Sequence, residues 1–306
     1  MGSFVIQGGK QLKGEVIPQG AKNEALQIIC ATLLTDCEVI VENIPHIRDV
    51  IKLIELLADF GVRVNRINDN CYSFQADNVN LDLLHDEAFS KKVAQLRGSV
   101  MIVGPLLARF RKASIPKPGG DKIGRRRLDT HFLGLEKLGA RFHYDKEKAF
   151  YHIEGKGLQG CEILLDEASV TGTANVIMAA SLAKGTTKLY NAACEPYIQQ
   201  LCRMLNSMGA NISGIGSNLL NIEGVDSLKG CTHRMLPDMI EIGSFIALAA
   251  MTRSEVTIKN VNYKQLGIIP EVFRKLGVVM EIKSDDLVIP AQDRCEVDTY
   301  IDGSIL

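Results

Sequence analysis

The sequence contains no tryptophan, few prolines and no long apolar run. Its 306 residues include 9 Pro and 6% aromatic side chains, with no low-complexity linker. No stretch approaches the roughly 18 apolar residues that a membrane-spanning helix requires, and the start lacks the basic and apolar regions of a signal peptide. We therefore expect a compact globular chain in the cytoplasm, without a membrane partner.

The sequence also lacks an excess of charge of either sign and lacks close cysteine pairs. Lys and Arg number 35 against 36 Asp and Glu, a formal charge of −1, which argues against nucleic-acid and anionic-membrane partners and favours small molecules. The 8 cysteines show no spacing typical of zinc or redox sites, and most lie in apolar segments. We predict reduced packing residues, no metal site and no cofactor.

Four glycines recur at regular intervals, each between a helix-like stretch and an apolar alternating run. Gly61, Gly139, Gly209 and Gly277 follow one another at 78, 70 and 68 residues. Such a period indicates a repeat architecture. Because glycine takes positive φ at little cost where a helix ends, each glycine is predicted to end a helix and begin a strand.

The same elements are predicted in each repeat. Small-residue helices at 23–34, 173–182 and 241–250 precede strands closed by asparagine turns at Asn43, Asn191 and Asn260. The second repeat has helices at 97–110 and 128–138 around a strand at 113–115. Each repeat reads as strand, helix, strand, helix, strand, strand, an α/β arrangement of mixed sheets. A chain of 306 residues favours two domains.

Three segments are candidates for chemistry. Lys22 and Asn23 stand at the start of the first alanine-rich helix, where helix amides and an ammonium suit a phosphate or carboxylate, or where the lysine is simply solvated. Loop 116–127 carries five cations around Asp121 and is either a mobile lid or a solvated basic turn. Segment 166–173 offers Ser169 or Thr171 as an N-cap, or its amides to a cleft if the helix starts converge.

Taken together, these segments resemble the enolpyruvyl transferases, in particular those that act on UDP-N-acetylglucosamine, over essentially the whole chain. The matching motifs are Gly20-Ala21-Lys22-Asn23, Arg97, Pro118-Gly119-Gly120 with Ile123-Gly124 and Arg126, Asp129 and His131, residues 134–140, Asn191-Ala192-Ala193 with Glu195-Pro196, and Leu236-Pro237-Asp238 with Ile240-Glu241. The resemblance implies an inside-out α/β barrel of repeated βαβαββ units, four of six being present. It implies a complete first domain at 21–232, including the lid loop 116–127, and an incomplete second domain formed by 1–20 plus 233–306.

The resemblance also implies a reaction and its residues. The enolpyruvyl group of phosphoenolpyruvate would move to the 3′-hydroxyl of UDP-N-acetylglucosamine, the first committed step of peptidoglycan synthesis, catalysed by a monomer. Lys22 and Asp121, the proton donor, would be catalytic, and Lys22, Asn23 and Arg126 would bind phosphoenolpyruvate. The UDP-N-acetylglucosamine site would comprise Asn23, Arg97, Arg126, Arg127, Leu128, Asp129, Thr130, Ser169 and Val170.

The chain departs from the family pattern at several positions. Asp121 stands where most members have a cysteine, which implies resistance to fosfomycin, an epoxide that alkylates a thiolate. Arg127 and Thr130 replace proline and leucine, and Glu167-Ala168 replaces Lys-Val. The family's general-base aspartate has no counterpart in these 306 residues, so we expect little turnover from the chain alone and an exposed apolar surface. A non-catalytic UDP-sugar-binding remnant and, less favoured, a 5-enolpyruvylshikimate-3-phosphate synthase are the alternatives.

Overall fold

A computed structural model describes residues 3–117, 119, 128–147 and 149–298 of the chain. Its strands are β1 (Lys13–Val16), β2 (Val39–Glu42), β3 (Arg63–Asn68), β4 (Cys71–Gln75), β5 (Lys112–Pro116), β6 (Arg141–Asp145), β7 (Phe150–Glu154), β8 (Glu162–Leu164), β9 (Thr186–Tyr190), β10 (Asn211–Ser213), β11 (Leu219–Glu223), β12 (Thr232–Arg234), β13 (Glu255–Ile258), β14 (Glu281–Lys283) and β15 (Asp286–Ile289). Its α-helices are α1 (Lys22–Ala31), α2 (Arg48–Asp59), α3 (Glu87–Ala94), α4 (Val103–Phe110), α5 (Asp129–Lys137), α6 (Val170–Ala180), α7 (Pro196–Ser207), α8 (Met239–Met251) and α9 (Ile269–Lys275). Short 3-10 helices occupy Thr32–Leu34, Leu81–His85, Arg97–Ile102 and Tyr263–Gln265.

The chain forms two compact units, a larger one of Lys22–Met235 and a smaller one of Met1–Ala21 with Leu236–Leu306. The sequence places the second boundary after residue 232, whereas the structure has it after Met235. The reason is β12, which pairs in parallel with β2 from Thr232 opposite Ile40 onward and so belongs to the larger unit.

One strand arrangement recurs in the sheets. The four-stranded sheets run in the orders β12-β2-β4-β3, β8-β9-β11-β10 and β1-β13-β15-β14, and the three-stranded sheet runs β5-β7-β6. In the four-stranded sheets the first pair is parallel and the remaining pairs are antiparallel. In the third of these sheets, the strand parallel to β13 is β1, from the N-terminal segment. It is not β12, the strand that directly precedes α8 and β13 along the chain.

The four recurrent glycines end helices as the sequence predicts. Gly61, Gly139, Gly209 and Gly277 have φ of 94°, 103°, 105° and 78°. After α2, the N–H of Gly61 donates to the Ala58 carbonyl and that of Val62 to the Leu57 carbonyl, both at 3.0 Å. This is the Schellman pattern, which satisfies carbonyls left without partners at a helix end. The strand-ending Asn43, Asn191 and Asn260 are left-handed too, with φ of 61°, 57° and 53°.

Helices α1 and α6 form the centre of the larger unit. Every residue of α1 from Glu24 to Ala31 is buried, and so is every residue of α6 from Gly172 to Ala180. A helix that is covered on all sides needs apolar or small residues around its whole circumference, which the alanines and isoleucines of both supply. The polar residues of both helices lie toward their N-terminal halves, up to Gln27 in α1 and Asn175 in α6.

The smaller unit packs one face of α8 against its sheet. Ile242, Ile246 and Ala249 of α8 join Ile258 and Ile289 in its core. In contrast to α1 and α6, α8 also exposes apolar side chains, namely Ile240, Leu248 and Met251. Within the part of the chain that is described, every helix is too short or too polar to cross a bilayer.

The cysteines are all free thiols, but only some pack in the core. Cys30, Cys71 and Cys202 are buried, whereas Cys37, Cys194 and Cys295 are exposed. Burial raises the pKa of the Cys202 thiol to about 12. The predicted packing role is therefore wrong for the exposed three, because an apolar neighbourhood in sequence does not determine which face of an element a residue occupies.

Candidate active site

The first turn of α1 presents a lysine that is held by an acidic residue. Lys22 begins the helix, and its Nζ lies 2.6 Å from Oδ2 of Asp49, in the first turn of α2. Both side chains are about two-fifths exposed, at 40% and 43%, and Asn23 beside Lys22 is half-buried. An exposed ion pair contributes only about 0–1 kcal/mol. The lysine can therefore exchange this carboxylate for an anionic ligand at little cost.

Arg97 begins a 3-10 helix whose start packs beside α1. A Cβ built at Gly98 would lie 3.1 Å from Cδ1 of Leu26, which is one turn along α1 from Lys22. Two positively polarised helix starts, each with a cationic side chain, are thus neighbours in the larger unit.

The starts of α5 and α6 meet in the same way. The Thr130 hydroxyl lies 2.7 Å from Asp166 Oδ1 and 3.3 Å from Glu167 Oε1, just before α6. Ser169 is the N-cap of α6 and accepts a hydrogen bond from the Gly172 N–H at 3.2 Å, which confirms it over Thr171 as the cap. The buried Thr130 side chain is engaged inside the protein.

Around these caps, Leu128, Ser169 and Val170 are half-buried, and Asp129 is exposed. A ligand at this place would therefore meet the backbone and the exposed side chains of the two helix starts rather than the Thr130 hydroxyl.

A buried polar network lies directly behind these helix starts. His131 Nε2 is 3.1 Å from the Thr171 hydroxyl, and His131 Nδ1 accepts a hydrogen bond from Asn175 Nδ2 at 2.8 Å. Asn175 Nδ2 also donates to the Val100 carbonyl at 2.9 Å, and its Oδ1 accepts from the Gly104 N–H at 2.8 Å. The network thereby connects α4, α5, α6 and the 3-10 helix that begins at Arg97.

The electrostatics of the network keep His131 neutral. Burial, and secondarily the positive charge of Arg97, lower the pKa of His131 to about 4 from an ordinary 6.5. A neutral imidazole has one donor and one acceptor nitrogen, which matches the Nδ1 acceptor seen here. Among the described residues, the cationic character of the candidate site therefore comes from Lys22, Arg97 and the helix amides, and not from this histidine.

Asp121, Arg126 and Arg127 lie outside the described residues, as does most of loop 116–127. Its first residues are described. The Lys117 N–H donates to the Ala149 carbonyl at 2.9 Å, and the Gly119 N–H donates to the Ala94 carbonyl at 2.8 Å. A Cβ at Gly119 would lie 2.1 Å from that carbonyl oxygen, so only glycine fits where the loop passes the end of α3.

Sequence reasoning missed two positions that the structure brings into the site. Asp49 gives no local sign of its contact with Lys22, because the two belong to different helices. Asn175 does give a sign: it is the one amide side chain in helix α6, whose other polar side chains are two threonines in the first turn. A polar side chain at such a place needs buried partners, although the sequence does not say which ones.

The chain shares extensive sequence similarity with known proteins. A sequence model of the family described as EPSP synthase (3-phosphoshikimate 1-carboxyvinyltransferase) matches residues 6–301. Proteins called UDP-N-acetylglucosamine 1-carboxyvinyltransferase from Bacteroides thetaiotaomicron and Porphyromonas gingivalis are 63% and 61% identical to it over 306 residues. These comparisons cover 100% of this chain and 70% of each relative, so the chain spans about 70% of their length.

Solved structures share its fold. The enolpyruvyl transferase NikO from Streptomyces tendae matches with a TM-score of 0.81 and 18% identity, covering 94% of this chain and 68% of NikO. EPSP synthase from Acinetobacter baumannii matches with a TM-score of 0.70 and 18% identity, covering 93% and 66%. The predicted fold of repeated βαβαββ units is thereby confirmed.

Proposed function

The chain belongs to the enolpyruvyl transferase family, together with the UDP-N-acetylglucosamine 1-carboxyvinyltransferases, and on that premise we propose that it transfers the enolpyruvyl group of phosphoenolpyruvate to the 3′-hydroxyl of UDP-N-acetylglucosamine. The observation that carries the proposal is the 63% identity over all 306 residues to a relative of that name. The reaction releases phosphate and is the first committed step of peptidoglycan synthesis. On the same premise the chain acts as a monomer in the cytoplasm.

The chemistry sets the groups that the site needs. C3 of phosphoenolpyruvate takes up a proton while the sugar hydroxyl loses one and attacks C2, giving a tetrahedral intermediate; this intermediate then loses phosphate from C2 and a proton from C3, which restores the double bond of the enolpyruvyl group. The reaction therefore needs an acid, a base and cations facing the phosphate and carboxylate. Asp121 is assigned as the acid, and no residue of this chain is assigned as the base.

The binding roles follow the helix starts. Lys22 and Arg126 hold phosphoenolpyruvate, and Asn23 lies between the two substrates. Arg97, Arg126 and Arg127 bind the nucleotide, together with Leu128, Asp129 and Thr130 at the start of α5 and Ser169 and Val170 at the start of α6. At Thr130 the backbone alone is left for the ligand, because the side-chain hydroxyl is bonded to Asp166.

The second candidate is transfer to shikimate 3-phosphate, since the matching family model and one solved structure bear the name EPSP synthase. The identity of 18% to that structure is far below the 61–63% to the UDP-sugar enzymes, which favours the first proposal. Titration of the chain with each acceptor substrate distinguishes the two.

Calorimetry of the full chain with UDP-N-acetylglucosamine is the first test. We expect a dissociation constant in the micromolar range and no heat with shikimate 3-phosphate. Absence of heat from UDP-N-acetylglucosamine at millimolar concentration contradicts the proposal.

Replacing Lys22 by alanine is expected to weaken phosphoenolpyruvate binding about 10-fold to 150-fold, because hydrogen bonds to charged groups contribute about 1.5–3 kcal/mol. The measurement is the same calorimetric titration, in the presence of saturating UDP-N-acetylglucosamine. Lys156→Ala, which removes an exposed lysine between β7 and β8, is the matched control and should leave the affinity unchanged. Equal affinities of the Lys22 and Lys156 variants would remove Lys22 from the site.

Fosfomycin is expected to leave residue 121 unmodified, because the carboxylate of an aspartate lacks the nucleophilicity of a thiolate toward the epoxide. The variant Asp121→Cys restores the thiol and should gain an adduct at this position. Incubation with the drug followed by peptide mass mapping measures both proteins, and the exposed Cys37, Cys194 and Cys295 report background alkylation. Time-dependent modification of position 121 in the unaltered chain would contradict this expectation.

A further inference from the structure

The larger unit begins and ends with two segments that are joined by a buried acid and histidine. The chain enters the unit at Lys22, the first residue of α1, and leaves it after Met235, directly after β12. Glu24 lies in the first turn of α1, and His233 is the central residue of β12. The two residues are 209 positions apart in sequence, and their side chains lie 2.9 Å apart.

Burial makes this contact strong. Glu24 is fully buried at 0% exposure and His233 is 8% exposed, and an ionised Glu24 accepts through Oε1 from the N–H of His233 Nε2, which lies 2.9 Å away. Removing a carboxylate from water is costly unless hydrogen-bond donors compensate it. A variant without His233 would remove this donor from a buried acid and would break the link between the first turn of α1 and β12.

The strand end of the contact is firmly held. β12 pairs with β2 along its length, with His233 opposite Val41, and backbone bonds extend this pairing on both sides, from the Ile40 N–H to the Cys231 carbonyl at 2.8 Å and from the Met235 N–H to the Glu42 carbonyl at 3.1 Å. The first turn of a helix, by contrast, has N–H groups without intrahelical acceptors and depends on partners outside the helix to hold it. The contact therefore transmits the position of the sheet to the helix start.

From this geometry we infer that Glu24 and His233 are positioning residues, which hold Lys22 and Asn23 in the orientation that binds the phosphate of phosphoenolpyruvate. The inference rests on the proposed function. The ion pair between Lys22 and Asp49 is about two-fifths exposed on both sides and is a weaker tether than the buried contact. Of the residues assigned to UDP-N-acetylglucosamine, Asn23 lies in this turn, whereas those at the starts of α5 and α6 lie on other helices, so we expect the pair to matter less for that substrate.

The test compares three variants of the full chain. Glu24→Gln keeps an oxygen that accepts from His233 Nε2, whereas Glu24→Ala and His233→Leu abolish the bond. Calorimetry measures the affinity for phosphoenolpyruvate and for UDP-N-acetylglucosamine, and hydrogen exchange measures the opening of residues 23–26. We expect Glu24→Ala and His233→Leu to lower the affinity for phosphoenolpyruvate about tenfold, which corresponds to about 1.4 kcal/mol. The affinity for UDP-N-acetylglucosamine should fall less than about threefold.

The same two variants should speed exchange in residues 23–26 without speeding it at the start of α6, and Glu24→Gln should behave like the unaltered chain. Equal losses for both substrates, or faster exchange throughout the larger unit, would overturn the inference, because the pair would then serve stability alone.

Unchanged affinity and exchange in all variants would overturn it as well. If the unaltered chain binds neither substrate, the proposed function fails and the inference fails with it. If the unaltered chain binds both substrates and the variants bind them with the same affinity, the inference is wrong but the proposed function stands.

Discussion

Replacing Asn175 by alanine is expected to lower the free energy of unfolding by about 4 kcal/mol. Asn175 is fully buried in α6 and bonds to the Gly104 N–H, the Val100 carbonyl and His131 Nδ1. Alanine offers none of these groups a partner, and a buried polar group left unsatisfied costs about 1–3 kcal/mol. Urea denaturation followed by far-ultraviolet circular dichroism measures the loss.

Asn218→Ala is the matched control, because Asn218 is exposed before β11. Its effect should stay within about 0.5 kcal/mol, as for most surface substitutions. A loss below about 1 kcal/mol for Asn175→Ala would mean that water replaces the amide, and that the network does not determine how α4, α5 and α6 pack.

The repeated fold could be predicted because the residues that end its helices and strands are recognisable from the local sequence. A glycine at a helix end is required by the backbone of that residue alone, so Gly61, Gly139, Gly209 and Gly277 could be recognised without any knowledge of tertiary contacts. The asparagines that end β2, β9 and β13 follow the same rule. Regular spacing of local signals was therefore sufficient to set the number and order of the elements in most of the repeats.

Other parts of the fold depend on contacts between distant residues and were not predicted. That β12 completes the sheet of β2 depends on pairing across about 190 residues, which no local pattern encodes. Helix α3 was missed for a different reason. Asp86 caps it through the Phe89 N–H at 2.8 Å, and Lys91 and Lys92 lie in its last turn. These are standard helix signals, but the helix falls in the repeat that departs most from the others.

As in the fold, the parts of the candidate site that depend on local sequence signals could be predicted, and the contacts between distant residues could not. Lys22 and Ser169 are marked by their places at helix starts, and the structure has them there. The residues that contact this helix start are specified only by tertiary packing. Asp49 contacts Lys22 from another helix, and His233, which is 209 positions from Glu24 in sequence, contacts Glu24. Local chemistry thus identifies where a helix start can bind an anion, whereas the groups that hold that start in place come from the tertiary fold.

Lowering the pH from 7 to 4 is expected to cost the folded chain about 3 kcal/mol through His131 alone. Its pKa is about 4 in the folded protein against 6.5 for an ordinary histidine, and a pKa difference of one is worth about 1.36 kcal/mol. Because the folded pKa is the lower of the two, the unfolded chain binds more protons between these values. This contribution to stability is therefore complete above pH 6.5 and is lost as the pH falls toward 4.

Urea denaturation at several pH values measures this dependence, and His131→Gln should flatten it between pH 6.5 and 4, since glutamine does not titrate. His143→Gln, at an exposed position of β6, is the control and should leave the slope as it is. The amide of glutamine can still bond to Thr171 or to Asn175, so the variant tests the charge rather than the loss of packing. If His131→Gln leaves the pH dependence of the unfolding free energy unaltered, His131 takes up its proton equally well in the folded and the unfolded chain. The conclusion that a neutral His131 lies in the network behind the helix starts would then be wrong.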